Sequence, residues 1–219
     1  MAIAADASQS IPIPRKLPRD ERRAQLIEAT ISTMGKHGYA RTTMSEVARV
    51  AGLSHGLVNF HFESKENLLL ETLLHLAEEY RLNWTAALAG AGPNAAAQIN
   101  AMLLADFDPR ICTQDRLSAW CSFWGEAQSR PIYQERCGSN DQIYTDTLDA
   151  LCARMIAEHG YTGNPTRIGR VFRVIVEGVW LDMMTLREPY PLQEARATVM
   201  TTVAAFFPRH FNENGLITP

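Results

Sequence analysis

The sequence predicts an all-α fold of about nine helices, and three observations carry that prediction. Apolar residues recur at intervals of three and four along most of the chain, the period of a helix with one face on a core. No segment alternates apolar and polar residues for long enough to make a strand. Beyond Leu88 the breaks in the pattern carry proline, and most of them also Gly, Asn or Asp, residues that end helices and open turns.

Residues 1–18 hold Pro12, Pro14 and Pro18 among Ala and Ser without apolar periodicity, and are expected to form a mobile arm. From Asp20 the pattern changes: Leu26, Ile27, Thr30, Ile31 and Met34 predict a first helix over about 20–37, with Gly38 as its C-cap. Thr43-Met-Ser-Glu46 is a capping box, in which the Thr hydroxyl accepts from the N3 amide and the Glu carboxylate reaches back. It opens a short second helix that turns Val47, Ala48 and Ala51 inward and ends at Gly52. Ser54 caps a third helix over roughly 55–61, with Leu57 or Val58 and Phe62 packing underneath. Ser64 caps a fourth, which runs to about Leu88 before Ala-Gly-Ala-Gly-Pro breaks it. Further helices are expected near 95–106, 114–129, 132–159, 166–187 and 192–207. They are separated at Asp108-Pro109, Arg130-Pro131, Gly160 to Pro165 and Glu188 to Pro191.

Composition narrows the functional classes. The chain has 219 residues, 46% hydrophobic and 21% charged, enough for an ordinary domain plus a smaller one with a substantial core. No apolar stretch approaches the roughly 20 residues that cross a bilayer. The opening MAIAADASQSIPIPRK has its basic residues after a weak apolar run, opposite to a secretory signal, so a cytoplasmic location without a membrane partner is expected. Cys112, Cys121, Cys137 and Cys152 form no C-x-x-C and find no histidine at metal-ligand spacing, so no metal and no cofactor is expected. They read as reduced, semi-buried thiols, with a redox-sensing pair left open. Residues 15–65 carry nine Lys/Arg against five acids, a net +4 that leaves −7 for the rest of a chain whose total is −3. A small basic head on an acidic body suits contact with phosphate at one end only.

Thr43 to Phe62 has the anatomy of a helix-turn-helix: a short capped helix, the turn Gly52-Leu53-Ser54, and a second short helix. The turn must be tight for the second helix to project into a major groove about 12 Å wide while the first crosses the backbone. The stretch from Gly38 to Leu68 resembles the signature of the TetR family of transcriptional regulators almost throughout. That resemblance implies a three-helix DNA-reading head over 19–65 with its motif at 43–62. His55, Gly56, Leu57, Asn59 and Phe60 match the contact positions of the third helix. His61 and Lys65 match positions that touch the DNA backbone, and Thr43 matches the hydroxyl at the start of the second helix; Ser54 joins them at the turn. Chemistry agrees for several. Asn59 offers the donor and acceptor pair for adenine, His55 a donor for guanine or phosphate, and Leu57 a methyl contact for thymine. Lys65 stands at a helix N-terminus, where exposed amides help to bind an anion.

A second resemblance covers the body, expected over 66–210. Ala119-Trp-Cys-Ser-Phe-Trp-Gly-Glu-Ala127, Pro131-Ile-Tyr133 and Val176-Glu-Gly-Val-Trp-Leu181 are similar to the regulatory domain of the BetI type, the choline-responsive branch of the family. Arg22-Arg-Ala-Gln-Leu-Ile-Glu-Ala-Thr30 is also similar to the first helix of that branch. A quaternary ammonium donates no hydrogen bonds and is held by aromatic faces, each worth about 2 kcal/mol when desolvated. Trp120, Phe123 and Trp124 fall at i, i+3 and i+4, and Glu177 and Trp180 share a face of another helix. With Tyr133, these six are the expected ligand site. The helices near 166–187 and 192–207 are apolar on more than one face and need a second cover, which suggests an isologous four-helix homodimer interface. Two heads would then read a near-palindromic operator on double-stranded DNA. The expected activity is repression relieved by a small molecule, choline or a related quaternary amine, acting on choline and glycine betaine genes. A family member controlling an efflux or catabolic operon through another inducer stays open. No catalytic residue is expected, since H-E-x-x-H, a Gly-rich phosphate loop and a nucleophile elbow are all absent from the sequence.

Overall fold

The computed structural model describes residues 17–126 and 131–217, without the side chains of residues 134, 136, 137, 139 and 140. The expected arm up to residue 16, the Arg130 side of one separator and the thiol of Cys137 lie outside this description. Nine helices occur among the described residues, most of them separated by Pro or Gly and α3 from α4 by Glu63-Ser64. They are α1 (Arg19–Arg41), α2 (Met44–Ala51), α3 (His55–Phe62), α4 (Lys65–Gly90), α5 (Ala95–Ala105), α6 (Gln114–Glu126), α7 (Pro131–His159), α8 (Pro165–Thr185) and α9 (Leu192–Phe206). Gly38 interrupts α1 with φ 73° and ψ 174°, a conformation open essentially to glycine, so the regular helix ends at His37 as its C-cap predicts. No helix among the described residues is long and apolar enough to cross a membrane.

The absence of strands does not hold. Phe211–Asn212 (β1) and Gly215–Leu216 (β2) pair antiparallel, with Phe211 opposite Leu216 and Asn212 opposite Gly215. Two residues per strand are too few for alternation to register. The legible signal was the dipeptide Asn214-Gly215, which favours tight hairpins. Phe211 is buried under α9, and the Leu216 amide donates to Asn100 Oδ1 of α5 at 3.1 Å.

Two cores organise the helices. Leu26, Ile31 and Met34 of α1, Val47 of α2, Val58 and Phe62 of α3, and Leu68, Leu69, Leu73 and Leu76 of α4 form the first. This core does not stop at the head, because Ala119 and Phe123 of α6 and Tyr133 of α7 belong to it. Helix α6 lies so close along α1 that a Cβ on Gly35 would come within 2.4 Å of the Asp115 carboxylate. Beside it, Arg116 of α6 donates to Glu79 of α4 at 2.8 Å and to Glu28 of α1 at 3.0 Å, joining three helices through one guanidinium. The second core lies in the body, around Ile99, Met102, Leu148, Met155, Phe172 and Val199.

The link between α3 and α4 is strained. Glu63 adopts φ 63° and ψ −41°, and the Ser64 amide donates to the Phe62 carbonyl at 2.6 Å across it, closing a three-residue turn. Such a turn costs a residue with a side chain about 1–3 kcal/mol, more than the extra chain entropy that glycine loses on folding. Glu63→Gly is therefore expected to raise the unfolding free energy by about 1 kcal/mol in a denaturant titration. A fall instead would mean that the Glu63 side chain itself holds the turn.

Candidate functional site

The head is built by three caps. Thr43 Oγ accepts from the Glu46 amide at 3.2 Å, Ser54 Oγ from the Leu57 amide at 3.2 Å, and Ser64 Oγ from the Asn67 amide at 3.1 Å. Gly52, at φ 67° and ψ 32°, makes the turn, and the Leu53 amide closes it on the Ala48 carbonyl at 2.9 Å. In α3, Val58, His61 and Phe62 fall at i, i+3 and i+4 and are buried, which leaves the opposite face to solvent. That face presents His55, Gly56, Asn59 and Phe60, with Leu57 half-exposed and Thr43 and Ser54 exposed at the helix starts. Phe60 is 70% exposed, too much for a core residue.

Three details differ from the sequence reading. His61, expected on the DNA backbone, is 8% exposed, because the period that turns Asn59 outward turns His61 inward. Burial holds its pKa below the ordinary histidine value, helped by Arg23, Arg19 and Arg22, and its Nδ1 meets no partner among the described residues. Its carbonyl accepts from Arg23, so it serves the packing of α1 on α3. The Glu46 carboxylate does not reach back to Thr43, as a full capping box requires. Arg49 engages it at 2.5 and 3.0 Å and His37 lies at 3.3 Å, and this pairing with Arg49, chiefly, lowers its pKa. Lys65 is half-buried, with Nζ 3.4 and 3.3 Å from the Tyr39 and Ala40 carbonyls, so it also ties the end of α1 to the start of α4.

In the body, five aromatic rings surround a cavity of about 90 Å³: Tyr80 of α4, Trp120 and Trp124 of α6, Tyr144 of α7 and Trp180 of α8. Trp124 and Trp180 are stacked with centroids 6.5 Å apart, Trp120 lies 6.3 Å from Trp124, and Tyr80 lies 5.8 Å from Trp180. Asp141, Arg173, Val176 and Glu177 complete the described lining. Arg173 donates to Glu177 at 2.6 Å, which leaves two carboxylates against one guanidinium among the described residues. Burial pushes the Asp141 and Glu177 carboxyls above the ordinary range, against the pull of Arg173.

Four of the six expected ligand residues meet here: Trp120, Trp124, Glu177 and Trp180. Phe123 and Tyr133 do not; they pack with Tyr39 in the core between head and body. The reason is angular. At about 100° per residue, Phe123 and Trp124 point a quarter-turn apart, with Trp120 between them. Trp120 accordingly packs against both cores, while Phe123 joins the first core and Trp124 lines the cavity, 41% exposed. Sequence reasoning missed Tyr80, Tyr144, Asp141 and Arg173. Arg173 was within reach as the i,i+4 partner of Glu177. The two tyrosines come from helices α4 and α7, whose relative rotation no local pattern reveals.

A capped helix, a left-handed glycine turn and an open second helix, set on a helical body with its own cavity, define a DNA-binding regulator. Residues 26–72 match the model for bacterial regulatory proteins of the tetR family, and residues 95–208 match the model for the BetI-type transcriptional repressor C-terminal domain. The chain belongs to the TetR family, with a C-terminal domain of the BetI type. It is therefore a transcriptional regulator and not an enzyme. It is 31% identical over 186 residues to the HTH-type transcriptional regulator BetI of Agrobacterium fabrum, covering 81% of this chain and 84% of that one. To the BetI of Paraburkholderia phymatum it is 27% identical over 184 residues, covering 84% and 91%. Among solved structures, a TetR transcription regulator from Haloarcula marismortui superposes with a TM-score of 0.71 at 19% identity, over 88% of this chain and all of that one. A regulator from Saccharomonospora viridis, solved in complex with choline, gives a TM-score of 0.73 at 17% identity, over 88% and 98%.

Proposed function

We propose that this regulator represses genes of choline and glycine betaine metabolism and leaves its operator when a small quaternary amine, choline foremost, enters the aromatic cavity. One observation carries the reading: five aromatic rings and a surplus carboxylate converge on a single small space. Aromatic faces attract a cation that cannot donate hydrogen bonds, and the carboxylate in excess of Arg173 among the described residues favours a positive ligand over a neutral one. Size narrows the choice. Pockets for drug-sized molecules run to about 300–1,000 Å³, so a cavity of about 90 Å³ favours a compact cation over the bulky substrates of an efflux pump. The choline complex of the Saccharomonospora viridis regulator, which shares the fold, is in keeping with this.

On this reading the protein works in the cytoplasm as a two-fold dimer. Val171, Val174 and Leu181 of α8 and Phe206 of α9 are exposed apolar residues, and the same pair of helices from a second copy would cover them. Two heads then read half-sites about 34 Å apart or a multiple of it. His55, Leu57 and Asn59 contact base edges, and Phe60, Thr43 and Lys65 the flanking backbone. Helix α6 turns Trp120 and Trp124 toward the cavity and, within a quarter-turn of them, packs Phe123 and Arg116 toward the head. A cation that prefers one setting of α6 thus biases the head spacing, since only differential affinity moves an equilibrium.

An electrophoretic shift assay on the chain's own promoter tests both halves. Millimolar choline is expected to release the DNA; unchanged binding would remove choline as inducer and leave the regulator standing. Lys65→Ala is expected to weaken all sequences alike and to flatten the salt dependence by roughly one unit. An unaltered slope would leave Lys65 only its tie to the α1 carbonyls.

A further inference from the structure

One layer behind the cavity, at the C-cap of α5, stands Asp106, with no exposed surface. Tyr144, a wall of the cavity, donates its hydroxyl to Asp106 Oδ2 at 2.9 Å. Trp180, another wall, donates its indole N–H to the Asp106 carbonyl at 3.2 Å. The Tyr80 hydroxyl also bears on the carboxylate, yet Oδ1 is buried without a well-aligned donor. A carboxylate taken out of water needs a cation or a full set of donors, and this one has neither among the described residues. The groups facing it are Tyr80 of α4, Tyr144 of α7, Glu177 of α8 and the thiol of Cys112. Arg196 of α9, the nearby guanidinium, is committed to the Phe107 carbonyl at 2.8 Å.

We propose that Asp106 is the buried counter-charge of the cavity: it anchors Tyr80, Tyr144 and Trp180, and a cation entering among those rings drives off its proton. The inference rests on the reading of the cavity as a cation site. An empty cavity leaves the carboxylate facing, among the described residues, neutral donors and Glu177, and burial holds its pKa up at about 7, although the two tyrosine hydroxyls pull it down. Near neutrality the acid is therefore part protonated. A cation one ring away stabilises the ionised form, so the protonated acid opposes binding and affinity rises with pH. Asp106 also sharpens selection. A neutral ligand of the same shape gains nothing from the charge behind the rings.

Isothermal titration of the full-length protein with choline and with tetramethylammonium, from about pH 6 to about pH 8 in buffers of different ionisation enthalpy, tests this. Affinity is expected to rise about tenfold over that range, the change set by one group of pKa about 7. Close to one proton should leave per cation at the acid end and few at the alkaline end. The neutral carbon isostere of choline should show neither effect. Asp106→Asn should bind choline more weakly at the alkaline end and lose the pH dependence. Tyr144→Phe, which removes the bond to Oδ2, should move the rise to higher pH and decides the matter if the Asn variant does not fold. Choline binding with flat affinity and no proton release overturns the role of Asp106 and leaves the cation site intact. A pH dependence that survives in Asp106→Asn assigns the proton to another group and also overturns it. Failure of both cations to bind at any pH overturns the cation site and this inference together.

Discussion

Phe123→Ala is expected to lower the stability of the protein by about 3–5 kcal/mol while leaving the choline affinity of the folded molecule nearly unchanged. Phe123 is 2% exposed, and its ring stands edge-on to Tyr133 at 5.5 Å and to Tyr39 at 6.2 Å. The two tyrosine hydroxyls are bonded to each other at 2.7 Å, so the three rings form a closed group joining α1, α6 and α7. Truncation opens a cavity that cannot collapse easily. On one side Gly35 already touches Asp115, and on the other Arg116 holds α6 to α1 and α4. For a chain of this length the loss corresponds to a fall of about 6–20 °C in the unfolding midpoint. A fall of only a degree or two would show that head and body separate without sharing a core, and α6 would then be no route between cavity and DNA.

The consequence for control is geometric. Because the first core continues from α3 and α4 into α6 and α7, the head does not hang from the body by one helix. Ala119 and Phe123 touch head residues one turn or less from Trp120 and Trp124, which line the aromatic cavity. Displacing the indoles by even part of an ångström must therefore be answered at α1, since close-packed interfaces transmit strain more readily than they absorb it.

What the sequence disclosed divides along the same line. Elements closed by local chemistry were legible, because Thr43, Ser54 and Ser64 cap, Gly38 and Gly52 turn, and the intervals between Leu26, Ile31 and Met34 fix which side of α1 is buried. The exposed face of α3 followed from its buried one, except where His61 was assigned by likeness rather than by period. The cavity was legible in kind and only partly in membership. Spacing alone groups Trp120, Phe123 and Trp124, but the helix turns a quarter of a revolution between the last two, and only packing decides which side of that arc faces the cavity. Tyr80, Tyr144 and Asp106 come from three further helices, and their meeting depends on how α4, α5 and α7 are rotated against one another. No residue near them in sequence records that rotation.

Trp124→Ala, one residue along from Phe123, is expected to shift the balance the other way: a loss of roughly 30-fold in choline affinity with a stability loss of about 1–2 kcal/mol, smaller than that of Phe123→Ala. Trp124 is 41% exposed against 2% for Phe123, so less apolar area is lost to packing on truncation and no closed core is opened. Its ring, however, stacks across the cavity from Trp180 and next to Trp120, and removing it opens one whole wall. A desolvated aromatic face contributes about 2 kcal/mol to holding a quaternary ammonium, and water entering through the open wall would weaken the remaining faces and the pull of Glu177 as well. The neutral carbon isostere should lose much less, since it has only dispersion and burial to forfeit. Equal losses for the two ligands would reduce Trp124 to a hydrophobic cover. An unchanged choline affinity, measured beside a stability loss like that of Phe123→Ala, would exchange the roles of the two neighbours and move the cation out of this cavity.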